Sequence, residues 1–157
     1  MTTEMKQIVI KKENAVFWLD KSGCWRNNGG KFRKKKIIDL FHQSIAKDDG
    51  GYFLSQVKDN ILEKVYFRFE DTALFVFAII FNNDIIVVLN TGKHLTLNPE
   101  NLYVMGDNLY VTHENERIKF SERALMQISS IIEEDGDHLV ITVNRNRFHI
   151  MEKPNNG

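Results

Sequence analysis

A cluster of cations near residue 31 is the strongest sign of a binding surface in this sequence. The apolar residues that follow it recur at helical spacing, which places the cations at the start of a helix. A helix N-terminus carries about half a positive charge, so each cation there is unfavourable by a few tenths of a kcal/mol. Backbone N–H groups at the same end favour an anion. We therefore predict a surface that binds a small anionic ligand or an acidic protein partner, made by Lys31, Arg33, Lys34, Lys35 and Lys36.

This basic cluster also has other interpretations. The charges are screened by salt, so the penalty is small and the cluster can be simply a solvated surface. The acidic segment 133–137 could pair with it, within one molecule or between two copies in a homodimer. Together with Phe32 it could bind nucleic acid weakly, although the chain's formal net charge of zero disfavours that function.

The adjacent carboxylates Glu70 and Asp71 are the second candidate site. On a strand, neighbouring side chains point to opposite faces, so the two could not act together as an acid–base pair. At a strand end they could instead accept backbone N–H bonds and hold a turn. Two roles stay open: a structural or binding role, and an enzyme site that folding assembles from these residues and a histidine.

The remaining reactive side chains lack the spacing of known metal or nucleophile sites. A single cysteine, Cys24, lies beside Trp25 in an apolar stretch and has no assignable histidine partner. The histidines do not follow a zinc-binding pattern; they are His42, His94, His113, His138 and His149. We therefore expect no catalytic residue, no metal and no cofactor.

Composition predicts an ordinary folded domain. The chain has 157 residues, 43% of them hydrophobic, and 21 cationic side chains balance 21 anionic ones. Its longest apolar run, residues 73–81, is about half the length of a membrane-spanning helix. The N-terminus lacks the apolar core of a secretory signal. These features predict a cytoplasmic protein without a membrane segment.

Hydrophobic periodicity predicts an α+β fold of mostly antiparallel strands with two main helices. The first helix is expected from about Arg33 to Lys47 and should end at Gly50 and Gly51. The second is expected to start after Ser121, a good N-cap, and to end at Gly136, which places the anions of residues 133–137 at its C-terminal end.

The two halves of the chain follow a similar order of hairpin, helix, glycine and strand. Gly50 aligns with Gly136 at an offset of about 85 residues. We therefore predict an internal repeat and two similar β-roll-like lobes. The N-terminal lobe would span residues 1–92 and the C-terminal lobe residues 93–157.

Several motifs resemble a small bacterial family known as a domain of unknown function. They are Gly23-Cys24-Trp25, Leu40-Phe41, Gly51-Tyr52, Glu70-Asp71 and Asn90-Thr91-Gly92. The resemblance covers roughly residues 15–150 and is stronger in the first half. It implies a two-lobed α+β fold with repeated motifs, no established catalysis, and a role in signalling or regulation. We therefore expect a non-enzymatic regulatory or interaction module.

Overall fold

The structure is a computed structural model in which residues 5–155 are described. The backbone divides into two compact units, one that runs to Ala73 and one that begins at Leu74. The lobe boundary predicted from sequence, between residues 92 and 93, stays a prediction. The strands on either side of residue 82 belong with the second unit because they pair within its sheet.

The first unit contains one α-helix and eight strands, which form two four-stranded sheets. Its elements, in chain order, are β1 (Lys6–Ile10), β2 (Phe17–Leu19), β3 (Trp25–Asn27), β4 (Gly30–Lys31), α1 (Lys35–Gln43), β5 (Ile45–Asp48), β6 (Gly51–Lys58), β7 (Ile61–Tyr66) and β8 (Arg68–Phe69).

Both sheets of the first unit are mixed. One has the strand order β1-β7-β6-β5 and the other β4-β3-β2-β8. Neighbours in sequence pair antiparallel, as β5, β6 and β7 do, whereas β1 pairs parallel with β7 and β2 pairs parallel with β8. Strands β2 and β3 form an antiparallel hairpin, from Phe17↔Asn27 to Leu19↔Trp25.

The first helix is shorter than its sequence pattern predicts. It ends at Gln43, and Ile45, which was expected to extend the apolar stripe, starts β5. The reason is the hairpin that follows, in which β5 pairs with β6 from Ile45↔Leu54 to Asp48↔Gly51. Gly50 therefore lies in the hairpin turn and Gly51 begins β6, so neither residue caps the helix.

The second unit is built around one nine-stranded sheet with the order β11-β10-β9-β14-β13-β12-β17-β16-β15. Its elements, in chain order, are β9 (Leu74–Phe81), β10 (Ile85–Leu89), β11 (His94–Thr96), β12 (Leu102–Met105), β13 (Asn108–His113), β14 (Glu116–Phe120), α2 (Glu122–Ile128), β15 (Ile132–Asp135), β16 (His138–Val143) and β17 (Asn146–Lys153).

The second helix is also shorter than expected. Ser121 caps it as predicted, its hydroxyl accepting the N–H of Ala124 at 3.2 Å. The helix ends at Ile128, and a 3-10 turn leads into β15. The anions of residues 133–137 thus lie on a strand and its turn, with Gly136 at φ 62°. The prediction that they occupy the negative end of a helix is wrong.

The core of the second unit explains why its sheet holds together. Residues of β9, β10, β14, β16 and α2 form one buried apolar cluster that includes Val76, Val87, Ile118, Ile128 and Ile141. Ala124 and Ile128 are the buried face of α2. Burying a Leu or Ile side chain stabilises a fold by about 1.5–3 kcal/mol, so this cluster dominates the unit's stability.

The architecture confirms a strand-rich α+β class with two helices and mostly antiparallel pairing. The sheets are open and mixed, in place of the expected β-roll. Both units contain a three-stranded meander, a helix and a second meander in that order; the internal repeat itself stays a prediction. Neither helix within residues 5–155 has the length and apolar content needed to cross a membrane.

Candidate functional site

An aromatic cluster holds α1 in place in the first unit. The rings of Phe17, Trp25, Phe41 and Phe67 meet mainly edge to face, with centroids 5.0 Å apart for Phe17–Phe41 and 5.3 Å for Trp25–Phe41. Trp25 and Phe67 are fully buried. Edge-to-face pairs contribute about 0.5–1.5 kcal/mol each beyond their buried area. The helix is therefore a fixed wall for anything that binds beside it.

His42 is buried in the same cluster and works as a structural acceptor. Its Nδ1 accepts a hydrogen bond from the indole Nε1 of Trp25 at 3.2 Å. Burial lowers the pKa of His42 to about 4, and the nearby charge of Asp39 offsets only part of that shift. The imidazole is therefore neutral at ordinary pH.

A groove lies between the C-terminal half of α1 and the β6–β7 hairpin, and we call it the α1 groove. It has a volume of about 360 Å³, which is within the range of small-ligand pockets. The lining is mostly apolar. It consists of Phe17, Leu40, Phe41, Ser44, Leu54, Ser55, Gln56, Val57, Glu63 and Val65.

Strand register places polar groups at one end of this groove. Leu54 and Val65 are buried and face each other across β6 and β7. Gln56 and Glu63 form the next pair on the same face, two residues along each strand. The amide Nε2 of Gln56 donates to Oε1 of Glu63 at 3.3 Å. A ligand lying along the groove would thus meet an apolar wall and then a carboxylate.

The electrostatics of the α1 groove favour a positive group. Glu63 is the only charged residue among its described lining residues, and no described cation forms an ion pair with it. Ser44, which also lines the groove, follows the last turn of α1, where the helix carries partial negative charge. Both features attract a cation or a hydrogen-bond donor.

The predicted basic cluster lies at the opposite end of α1. Lys31 is in β4, and the other members precede or begin the helix. All five side chains are exposed. Lys35 pairs with Asp39 at 2.7 Å, one turn along the helix, and is the only cluster member with an ion pair in the described part of the chain. The structure thus gathers these cations but does not place them in the groove.

The Glu70 carboxylate lies at the end of β8. Its Oε1 accepts the backbone N–H of Lys21 at 3.3 Å, in the turn between β2 and β3. Asp71 is half-buried next to it. Neither residue lines the α1 groove.

Sequence reasoning missed Asp20, which organises that same turn. Its carboxylate accepts the N–H groups of Ser22 and Cys24 at 2.9 Å and Nε of Arg26 at 2.7 Å. Burial would raise the pKa of Asp20, but these hydrogen bonds outweigh it and hold the pKa below its ordinary value. An Asp two residues before Ser-Gly is a turn signal that could have indicated this role.

The histidines do not form the metal sites that sequence patterns would recognise. Across residues 5–155, no group of three or more His, Cys, Asp or Glu is arranged to hold a metal ion. Strand pairing does bring two of them together: the rings of His138 and His149 meet edge to face, with centroids 5.7 Å apart. These residues are eleven apart in sequence, so only the register of β16 and β17 could reveal the pair.

Two crystal structures resemble this one along most of the chain. The first, a DUF1285 family protein from Silicibacter pomeroyi DSS-3, has a TM-score of 0.62 at 12% identity over 93% of this chain and 84% of that one. This chain has the DUF1285 fold. A second DUF1285 family protein, from Shewanella baltica OS155, has a TM-score of 0.51 at 18% identity over 73% of this chain and 91% of that one.

The predicted resemblance to a small bacterial family of unknown function is thus confirmed: the similar structures belong to the DUF1285 family. At these identities the likeness concerns the fold alone and carries no residue role from one protein to the other. No protein-family model and no curated protein matches the sequence.

Proposed function

We propose that this protein is a non-enzymatic binding module, and that its α1 groove holds a small, mainly apolar molecule with a positively charged end. One observation carries the proposal: a single carboxylate, Glu63, closes a groove whose walls are otherwise apolar or uncharged. Such a combination of apolar walls with few placed polar groups is typical of small-molecule sites.

The apolar walls and the carboxylate have different tasks. Burying about 100 Å² of apolar ligand surface contributes roughly 2.5 kcal/mol. An ion pair at a half-exposed position such as Glu63 contributes about 1 kcal/mol or less. The walls therefore supply most of the affinity, and Glu63 selects amines over carboxylic acids.

Leu40 supports the binding role because its exposure has no structural explanation in the described contacts. This leucine is 55% exposed and lines the groove mouth, while its neighbour Phe41 packs in the aromatic cluster. A bound apolar body would cover the Leu40 side chain and remove it from water.

A nuclear magnetic resonance titration of the full chain with 4-phenylbutylamine tests the location. We expect the amide resonances of Leu40, Ser44 and Val65 to shift together and to saturate. The variant Ser44→Phe fills the groove and should abolish these shifts. The matched control Ser130→Phe, which places the same ring on an exposed site after α2, should leave them unchanged. Shifts that persist in Ser44→Phe would place binding elsewhere.

The basic cluster supports a second candidate function, the capture of an acidic protein partner. Arg33, Lys34 and Lys36 are exposed and have no ion pair among the described residues. Lys34 occupies the N-cap position without a side-chain cap, so the first N–H groups of α1 remain accessible to an anion. With the groove at its other end, α1 would link a small ligand to a protein partner, as a regulatory module requires.

Capture of an acidic partner is tested with a glutamate-rich peptide. The full chain should bind the peptide at low ionic strength, and binding should weaken as salt is raised because these charges are exposed. Replacing Arg33, Lys34 and Lys36 with glutamine should abolish binding. The same replacement of the exposed cations Arg123, Arg145 and Lys58 should leave binding intact. Equal loss of peptide affinity in the two variants would show that the peptide responds only to overall charge, which would contradict a site at the basic cluster.

A further inference from the structure

We propose that His138, His149 and Met151 form a surface site for monovalent copper. They lie on β16 and β17 in the second unit, far along the sequence from the residues of the α1 groove. Two imidazoles and a thioether are the donor set of this site. The inference is independent of the proposed small-ligand function.

Strand pairing puts the three donors on one face of the sheet. Val140 faces His149 across the two strands, and Leu139 faces Ile150. The next position along brings His138 opposite Met151, and alternation along the strand puts His149 and Met151 on the same side. Ile150, between them, points into the buried core. The donors thus converge on the face away from that core.

The side chains border a common open hollow and are accessible. A hollow of about 560 Å³ is lined by His138, His149, Ile150, Met151 and Glu152. Both histidines are exposed, and Met151 is 60% exposed even though methionine is usually buried. Met151 is not part of the apolar core cluster of the described residues.

The two imidazoles are close enough for one metal ion to bind both. Their centroids are 5.7 Å apart and the rings are perpendicular, at 89°. A ring nitrogen lies about 1 Å from its centroid, and two nitrogens each about 2.0 Å from one metal are at most about 4 Å apart. Small side-chain rotations therefore bring both nitrogens within bonding distance of a single ion.

The donor set selects copper in its monovalent state. Structural zinc sites need four ligands, usually including thiolates or carboxylates. Within the described residues no third His, Cys, Asp or Glu completes such a set here. Thioether and imidazole donors suit Cu(I), an ion that is satisfied by a low coordination number. The geometry thus favours Cu(I) over Zn²⁺.

An anaerobic Cu(I) titration of the full chain, in competition with the chromophoric chelator bicinchoninate, tests the site. We expect one equivalent of Cu(I) to be withdrawn from the chelator, with no comparable uptake of Zn²⁺. The variant His149→Gln should weaken binding at least tenfold, and Met151→Leu severalfold. All three side chains are exposed, so thermal unfolding of these variants should match that of the wild type.

The control is His94→Gln, which removes an exposed histidine from β11 and should leave Cu(I) binding unchanged. A side-chain proton resonance of His138 and of His149 in the wild type should shift with the first equivalent, which tests the site without any variant. Failure of the wild type to withdraw one equivalent would overturn the proposal. So would unchanged affinity in both His149→Gln and Met151→Leu.

Discussion

Trp25 donates its indole N–H to Nδ1 of His42 at 3.2 Å, inside the aromatic cluster that supports α1. An imidazole that accepts at Nδ1 in this way is neutral and carries its proton on Nε2. Burial favours the same neutral form, since it lowers the pKa of His42 to about 4. The helix that forms one wall of the groove is thus docked by a histidine that must remain uncharged.

Acidification should therefore destabilise the first unit before most carboxylates titrate. The unfolded imidazole takes up a proton below its ordinary pKa of 6.5, whereas the folded one stays neutral until about pH 4. Stability from this residue is complete above pH 6.5 and is lost progressively as the pH falls toward 4. The total loss is roughly 3 kcal/mol. Urea unfolding between pH 7 and pH 4.5 measures it.

The variant His42→Gln serves as the comparison because glutamine can accept from Trp25 but does not titrate. Its free energy of unfolding should change less with pH over this window, while His94→Gln should behave like the wild type. The lowered pKa values of Asp20 and Asp48 affect stability only below their ordinary value of 3.8. Equal pH dependence in the wild type and His42→Gln would contradict the structural role of His42.

The connection between β5 and β6 depends on the absence of a side chain at Gly50. A methyl group at Gly50 would come within 2.8 Å of ring atoms of Tyr66. The Tyr66 hydroxyl donates to the Asp48 carboxylate at 2.9 Å, so displacing the ring also breaks that bond. We expect Gly50→Ala to lower the free energy of unfolding by about 1–3 kcal/mol.

A double-mutant cycle separates contact with the ring from any backbone effect. If the clash causes the loss, Gly50→Ala should cost no more than about 0.5 kcal/mol in a Tyr66→Ala background. Urea unfolding of the four proteins gives the coupling energy. An unchanged cost in that background would show that the backbone, and not Tyr66, requires glycine.

Replacing Lys34 and Lys36 with glutamate should have opposite effects on stability and on partner binding. Each change replaces an unfavourable cation with a favourable anion at the start of α1, so the pair should stabilise the fold by roughly 0.5–1 kcal/mol at low salt. Lys35 is left in place because it pairs with Asp39. The same variant should lose affinity for a glutamate-rich peptide.

Thermal unfolding and peptide binding of one sample check both effects. Lys93→Glu with Lys58→Glu makes the same change in net charge away from any helix N-terminus, and it should neither raise the melting temperature nor lose affinity for the peptide. A lower melting temperature in the Lys34 and Lys36 variant would mean that these cations have structural partners that the account does not include.

The sequence predicts element types better than it predicts where elements end. Both predicted helices are several residues longer than the observed ones, because Ile45 and Ile132 continue the apolar spacing of the preceding helix. In each case the residue starts a strand that pairs in a hairpin. Periodicity counts neighbours along the chain, so it cannot detect a partner strand that satisfies the backbone instead.

Only part of the candidate site could be predicted from the sequence. The basic cluster is contiguous, so its position at a helix start could be predicted. The α1 groove joins Leu40 to Gln56 and Glu63, which become neighbours only through the register of β6 and β7. One sequence signal could have indicated the groove. Leu40, next to Phe41, is an additional apolar residue outside the stripe that packs the helix against its core.

The central claim is that Glu63 makes the α1 groove selective for a positively charged ligand. The most direct test is the ratio of the dissociation constants of 4-phenylbutylamine and 4-phenylbutanoate, measured by calorimetry on the full chain. We predict that the wild type and the control Glu100→Gln bind the amine about fivefold more tightly, and that Glu63→Gln binds both within a factor of about two. Equal binding of amine and acid by the wild type, or a preference that survives Glu63→Gln, would contradict the account.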